Sequence, residues 1–103
     1  MFYYYRTMKH SVLVQRFKAL ASEQRLQLIE LLLKWEETDD CCDGVRKGFT
    51  RASEEMDLSR STISHHFKEL ENAGLIHCTR NGQAVECKVN REALDEIRSY
   101  LGN

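Results

Sequence analysis

The sequence predicts a mainly α-helical domain carrying a small β-hairpin, in the order helix-helix-helix-helix-strand-strand-helix. Three observations predict it. Apolar residues recur at three-and-four spacing from residue 13 to residue 33 and again from 93 to 101. A segment opening at Ser59 confines its apolar residues to one edge up to Asn72. Asn81-Gly82 then separates two alternating segments, the strongest short-range hairpin signal.

Residues 9–20 read as a first helix, with Leu13, Phe17 and Leu20 on one stripe. Ser22 suits the N-cap of a second helix to about Trp35, where Leu26, Ile29, Leu32 and Leu33 form the expected buried face. Glu36 to Gly48 is acidic, holds Cys41-Cys42 and two glycines, shows no period and reads as a loop. Thr50 is placed to cap a short third helix through Met56, with Asp57-Leu58 as the turn. Ser59 caps the fourth helix, and Gly74 stands where a left-handed C-terminal cap is expected. Leu75–Arg80 and Gln83–Val89 read as strands. A two-residue Asn81-Gly82 turn would pair Arg80 with Gln83, Cys78 with Val85 and Ile76 with Cys87, putting Ile76, Cys78, Val85, Cys87 and Val89 on one face. Asn90 caps a last helix whose apolar side is Ala93, Leu94, Ile97 and Leu101.

The 103 residues suit one domain over residues 1–103. A domain of this size buries only about 60–70% of its unfolded surface and is often completed by a partner subunit. No apolar run approaches the roughly 18 residues that span a bilayer, so no membrane association is expected. The opening Met1-Phe2-Tyr3-Tyr4-Tyr5-Arg6 lacks the marks of a signal peptide, and Met8 is an alternative start. A cytoplasmic protein with reduced cysteines is the expectation. The cysteine spacing has neither paired CxxC motifs nor a zinc-finger pattern, so a structural zinc is not expected.

The net charge of −1 excludes a uniformly basic nucleic-acid coat, but the charge is unevenly placed. Residues 36–57 carry eight acids against three bases, and the remainder carries twelve bases against eight acids. A local positive face can attract phosphate even when the total is near zero. An enzyme is not expected, because there is no Gly-rich phosphate loop and no Ser/His/Asp or Cys/His arrangement suited to a pocket.

The fourth helix carries the functional reading. At about 100° per residue, Ile63, Phe67 and Leu70 fall in one sector. Ser61, His65, Lys68 and Asn72 lie opposite, flanked by Thr62 and Ser64. Short donors and acceptors with a histidine can reach base edges in a major groove, and Arg60, Lys68 and the hydroxyls can bond phosphates. An ordinary surface helix would show the same polarity in isolation. A short helix and tight turn before it and a hairpin after it make it the reading head of a winged helix-turn-helix. Arg80 and Gln83 flank the hairpin tip, where a wing touches backbone or minor groove; a solvated turn pair is an equal reading of each.

These features resemble the ArsR/SmtB family of bacterial and archaeal regulators. The match runs through Phe17-Lys18-Ala19-Leu20-Ala21-Ser22, Arg25-Leu26-Gln27-Leu28-Ile29-Glu30-Leu31-Leu32 and Leu58-Ser59-Arg60-Ser61-Thr62-Ile63-Ser64-His65-His66-Phe67-Lys68-Glu69-Leu70. It continues in Ala73-Gly74-Leu75-Ile76 and the wing tip Arg80-Asn81-Gly82-Gln83, and covers residues 12–101. The resemblance implies a homodimer joined through its first and last helices, here residues 1–20 and 90–103. It also implies repression of the protein's own operon at an imperfect palindrome in double-stranded DNA, and release by an effector. Two features depart from metal-sensing relatives: the third helix, read as starting at Phe49-Thr50-Arg51-Ala52, has no Cys-x-Cys, and the last helix has Asp95 but no histidine.

No cofactor is required by this reading, but a metal, metalloid or thiol-redox effector is one expectation to be weighed. Cys41, Cys42 and Asp43 in the acidic loop present two thiols beside a carboxylate, a site for a soft ion or for oxidation. Neighbouring residues seldom both ligate one metal, so an incidental loop role is favoured. Cys78 and Cys87, expected as diagonal neighbours in apolar company, read as buried inert thiols before a redox contact. His65 faces DNA, whereas His66 lies at the edge of the core face and packs or bonds locally. His10 and His77 read as surface histidines. Tyr3, Tyr4 and Tyr5 read as a packed or dimer-contacting end. The rival to a DNA regulator is a winged-helix protein-interaction module without sequence-specific DNA binding, against which stands the lack of aromatic anchors on the polar face.

Overall fold

The computed structural model describes the backbone of residues 2–37, 44–81 and 84–102, and the side chains of residues 10–37, 49–79 and 86–102. Its elements are α1 (Phe2–Leu20), α2 (Glu23–Glu37), α3 (Gly44–Met56), α4 (Arg60–Asn72), β1 (Ile76–Asn81), β2 (Ala84–Val89) and α5 (Arg91–Gly102). The order is the one the sequence predicts.

The core forms where α2, α4 and the base of the hairpin meet. Leu28, Ile63, Leu70, Leu75 and Ile76 are its largest fully buried side chains. On α2 the buried residues are Leu28, Ile29, Leu32 and Trp35, while Leu26, expected inside, is 47% exposed. At about 100° per residue Leu26 stands about 160° from Leu28, so it cannot share that face. Phe17, expected on the buried stripe of α1, is also exposed, as is Leu101 on α5. Ser22 caps α2 as expected, accepting from the Arg25 backbone N–H at 3.3 Å.

Two boundaries differ from the sequence reading by more than a turn. α1 begins at Phe2 rather than residue 9, though the side chains of Tyr3, Tyr4 and Tyr5 lie outside the described set. α3 begins at Gly44, so Thr50 is interior to the helix rather than its cap, and the expected loop shrinks. Each interior glycine costs about 1 kcal/mol relative to alanine. Just after these glycines the Phe49 ring meets Phe67 of α4 edge-on with centroids 4.5 Å apart, a favourable tertiary contact. Glu36, read as part of the acidic loop, is instead in the last turn of α2. Its carboxylate accepts from the Val89 backbone N–H at 2.9 Å and from Arg91 at 3.1 Å, tying α2 to the end of β2 and the start of α5.

The exit from α4 is a Schellman turn. The Leu75 N–H bonds the Leu70 carbonyl at 3.0 Å and the Gly74 N–H bonds that of Glu71 at 2.9 Å, with Gly74 at φ +76°. Arg16 of α1 closes over this turn: its Nε donates to the Ala73 carbonyl at 3.3 Å, and its guanidinium pairs with Glu96 of α5 at 2.5 Å. A Cβ on Gly74 would lie 3.4 Å from the Arg16 Nη2. Asn90 caps α5 by accepting from the Ala93 N–H at 3.3 Å, and its amide donates to the Gly74 carbonyl at 2.8 Å. Gly74→Ala is expected to lower stability by about 1–2 kcal/mol, since a Cβ disfavours the left-handed region. Gly102→Ala, with nothing within 4 Å, should be neutral or slightly stabilising. Urea denaturation of the two variants measures the contrast.

Candidate nucleic-acid interface

The short turn before α4 sets its entry. Asp57 takes φ +55°, and the Ser53 hydroxyl donates to the Leu58 carbonyl. Ser59 is extended at φ −66°, ψ 155°, and its hydroxyl accepts from the Thr62 backbone N–H at 3.2 Å. The same hydroxyl donates to Thr62 Oγ1 at 2.9 Å and lies 3.2 Å from the Ser61 hydroxyl. The cap and the first turn of α4 are thus one hydrogen-bonded group, on a helix N-terminus whose N–H groups favour an anion such as phosphate.

Burial of Ile63, Phe67 and Leu70 turns the opposite side of α4 outward, as expected. Ser61, Ser64, His65 and Lys68 are exposed on that side, and Arg60 is exposed at the first position of the helix, nearer the core side. Thr62 is half-buried and engaged in the cap, so its hydroxyl orients the turn as much as it offers a contact. The candidate readers therefore cluster over the first three turns of one helix. Glu71 and Asn72 are exposed at its far end.

His66 is the buried polar residue of the described core, 7% exposed. Its Nδ1 lies 3.3 Å from Arg25 Nη1, and its Nε2 lies 2.8 Å from Gln24 Oε1, both on α2. Arg25 Nε also donates to the Ala19 carbonyl at 2.6 Å, at the end of α1. Burial, then the Arg25 charge and that of His65, push the His66 pKa below its usual value, with Glu69 pulling the other way. The place of His66 at the edge of the core face is as the sequence reads it, but its bonds are not local. Gln24 and Arg25 as its partners were not legible in the sequence, since they stand 42 and 41 positions away in the chain.

The wing differs from its expected register. β1 and β2 are antiparallel, with Asn81 opposite Ala84, Arg80 opposite Val85, Cys78 opposite Cys87 and Ile76 opposite Val89. Relative to the expectation, β2 is shifted by two residues. A shift of two leaves every side chain on its own face, so alternation could not distinguish the two registers. Cys78 and Cys87 consequently face each other directly and form a disulfide, rather than sitting as diagonal free thiols. Arg80 belongs to β1, but its side chain lies outside the described residues, as do Gln83 and the whole of Cys41, Cys42 and Asp43. Among the described residues, no group of three or more His, Cys, Asp or Glu side chains could hold a metal, and no helix is long and apolar enough to cross a membrane.

A polar reading helix behind a short turn, followed by a two-stranded wing, defines the winged helix-turn-helix class of DNA-binding regulators. Residues 52–77 match the model of the bacterial regulatory protein, arsR family. The chain is 33% identical over 98% of its length to YceK, an uncharacterized HTH-type transcriptional regulator of Bacillus subtilis (strain 168), and spans 93% of it. Among solved structures, an ArsR family transcriptional regulator superposes with a TM-score of 0.65 at 19% identity, covering 88% of this chain and 84% of that one. HlyU from Vibrio cholerae N16961 superposes with a TM-score of 0.59 at 21% identity, covering 90% and 95%. The protein belongs to the ArsR family of transcriptional regulators, which bind DNA and are not enzymes.

The wing disulfide closes a loop with a sequence separation of 9. A cross-link of that span is worth about 2–3 kcal/mol by loop-closure entropy. Reduction with a dithiol is therefore expected to lower the urea midpoint of the wild type, while Cys78→Ser/Cys87→Ser should unfold at one midpoint under either condition.

Proposed function

We propose that this protein is a dimeric, sequence-specific repressor of its own operon, acting in the cytoplasm and released from DNA by an effector or a redox signal. The observation that supports it most is the polar outer side of α4, where Ser61, Ser64, His65 and Lys68 are exposed together, with Arg60 exposed at the capped helix N-terminus. In this reading Ser61, Thr62, Ser64 and His65 contact base edges, and Arg60 and Lys68 bind phosphates. Arg80 and Gln83 touch the backbone beside the groove. Two copies would place their α4 helices on half-sites of an imperfect palindrome, about one helical turn apart or a multiple of that.

Dimerisation is supported by apolar surface on the two terminal helices. Val14 and Phe17, on one side of α1, and Tyr100 and Leu101 of α5 are 36–68% exposed, and the Phe17 and Tyr100 rings lie 6.4 Å apart. Leaving such a patch in water is unusual for a monomer. For the release signal, the Cys78–Cys87 bond gives the redox route a physical basis. It sits on the strand that carries Arg80, and its reduction takes up two electrons and two protons to leave two thiols. Cys41, Cys42 and Asp43 remain the candidate site for a metal or metalloid.

Fluorescence anisotropy on the protein's own upstream DNA, against a scrambled duplex and across salt, tests the reading. Ser61→Ala and His65→Ala are expected to relax sequence preference, each costing about 1–3 kcal/mol on the upstream DNA alone. Lys68→Ala should weaken both duplexes alike and reduce the salt slope by about one. Equal losses on both duplexes for all three variants would remove the base-reading assignment, and no binding at low salt would favour the protein-interaction module. Running the titration with oxidised and reduced protein, and with Cys41 and Cys42 replaced by Ser, separates a redox signal from an effector. Sedimentation should give a dimer for the wild type, and Phe17→Asp/Leu101→Asp should sediment as a folded monomer with weakened DNA binding.

A further inference from the structure

The hydrogen bonds around His66 fix its chemical state. A guanidinium has only donors, so the ring nitrogen facing Arg25 Nη1 at 3.3 Å must be bare. The ring's one proton then sits on Nε2, where it is donated to Gln24 Oε1 at 2.8 Å. The ring is neutral, and both of its nitrogens are spent on α2. Arg25 is itself held, with its Nε on the Ala19 carbonyl and its own backbone N–H on the Ser22 cap. It cannot swing away from His66 without giving up the end of α1.

From this geometry we infer that His66 is a positioning residue for DNA reading: with Gln24 and Arg25 it clamps α4 in its reading orientation, and the clamp holds only while the imidazole is neutral. The inference rests on the DNA-binding reading of α4. His66 sits next to His65 and within two residues of Ser64 and Lys68, yet it points into the protein and touches no DNA itself. A second proton would go to Nδ1, setting N–H against N–H and cation against cation at the Arg25 contact. The clamp would open, and the side chains on the outer face would lose their fixed angle to the groove.

The charged surroundings agree with this. Arg25 from α2 and His65 from α4 disfavour the protonated ring, and Glu69 on α4 only partly opposes them. From α1, Lys18 lines the cleft it shares with Arg25 and Glu69. α3 meets this part of α4 through Phe49 on Phe67, an uncharged contact. Because the folded-state pKa is depressed below 6.5, the clamp is intact above that value and is lost as pH falls through the lowered pKa. The sign is diagnostic. Positive charge added near phosphate strengthens binding, whereas protonating His66 weakens it.

The test measures Kd on the upstream duplex at constant ionic strength from pH 7.5 to pH 5.5, for the wild type and for His66→Gln. Glutamine can still donate to Gln24 and does not titrate. Each protein is compared with itself at pH 7.5, and circular dichroism at both pH values establishes that it is folded. Relative to His66→Gln, the wild type is expected to lose about five- to tenfold in affinity on acidification, the low end of the usual coupling between two sites. Nitrogen-15 shifts of the His66 ring at pH 7.5 should report a bare Nδ1 and a protonated Nε2. Superimposable pH profiles, or a ring carrying its proton on Nδ1, would overturn the clamp while leaving DNA binding intact. Failure of both proteins to bind the duplex at pH 7.5 would instead strike the DNA-binding reading itself, and the positioning role with it.

Discussion

Seating Ile63, Phe67 and Leu70 against the core settles the rotation of α4 about its own axis, and the candidate reading surface depends on that rotation. Ile63 and Leu70 are fully buried and Phe67 nearly so, and the Phe49 ring locks edge-on against Phe67. A helix has one free rotation once its axis is placed, and three apolar residues in one narrow sector remove it. Ser61, His65 and Lys68 then face away from the protein as a geometric consequence. The Ser59 cap and the Schellman turn at Gly74 set where the helix starts and stops, so rotation, entry and exit are each determined by a separate local device.

Around this seat the structure is held by a few side chains that each bridge several elements. Arg16 joins α1, the end of α4 and α5; Glu36 joins α2, β2 and α5; Arg25 joins α1, α2 and α4. Each is at least partly shielded from solvent, where a charge-assisted hydrogen bond is worth more than on an open surface. By contrast, the ion pairs Arg51–Glu55 and Arg98–Asp95 are solvent-exposed and separated by 3.9 and 3.3 Å, and contribute little. Two of the three, Arg16 and Arg25, act on α4 or its exit. In a domain too small for a deep core, such polar staples do part of the positioning that apolar packing does in larger ones.

The wing obeys a different logic. A two-stranded hairpin is marginal by itself. Here its inner face, Ile76, Cys87 and Val89, is buried on the domain, and the Cys78–Cys87 bond adds a covalent rung. The outer half of the hairpin therefore inherits its orientation from a firmly attached base. The disulfide and the His66 contacts thus lie in two different parts of the candidate interface, the wing and α4.

Local pattern alone made the order of elements, the caps at Ser22, Ser59 and Asn90, the turn at Gly74 and the two faces of α4 legible, because each depends on residues within a turn or two of one another. What escaped was set by contacts far apart in the chain. α3 starts among glycines that read as a loop, and it packs on α4 through Phe49 and Phe67, far apart in the chain. The exposure of Leu26 and Phe17 depends on which neighbours each helix meets, since periodicity marks a stripe without saying what covers it. The hairpin register shifts by two without moving any side chain to the other face, so alternation could not choose it, and the pairing of Cys78 with Cys87 came only with the assembled hairpin. The Gln24–His66–Arg25 contacts join residues some forty positions apart. Secondary structure and polarity follow from short-range sterics and spacing. Register, partners and protonation follow from which distant groups are brought within hydrogen-bonding reach, and that is decided by tertiary packing.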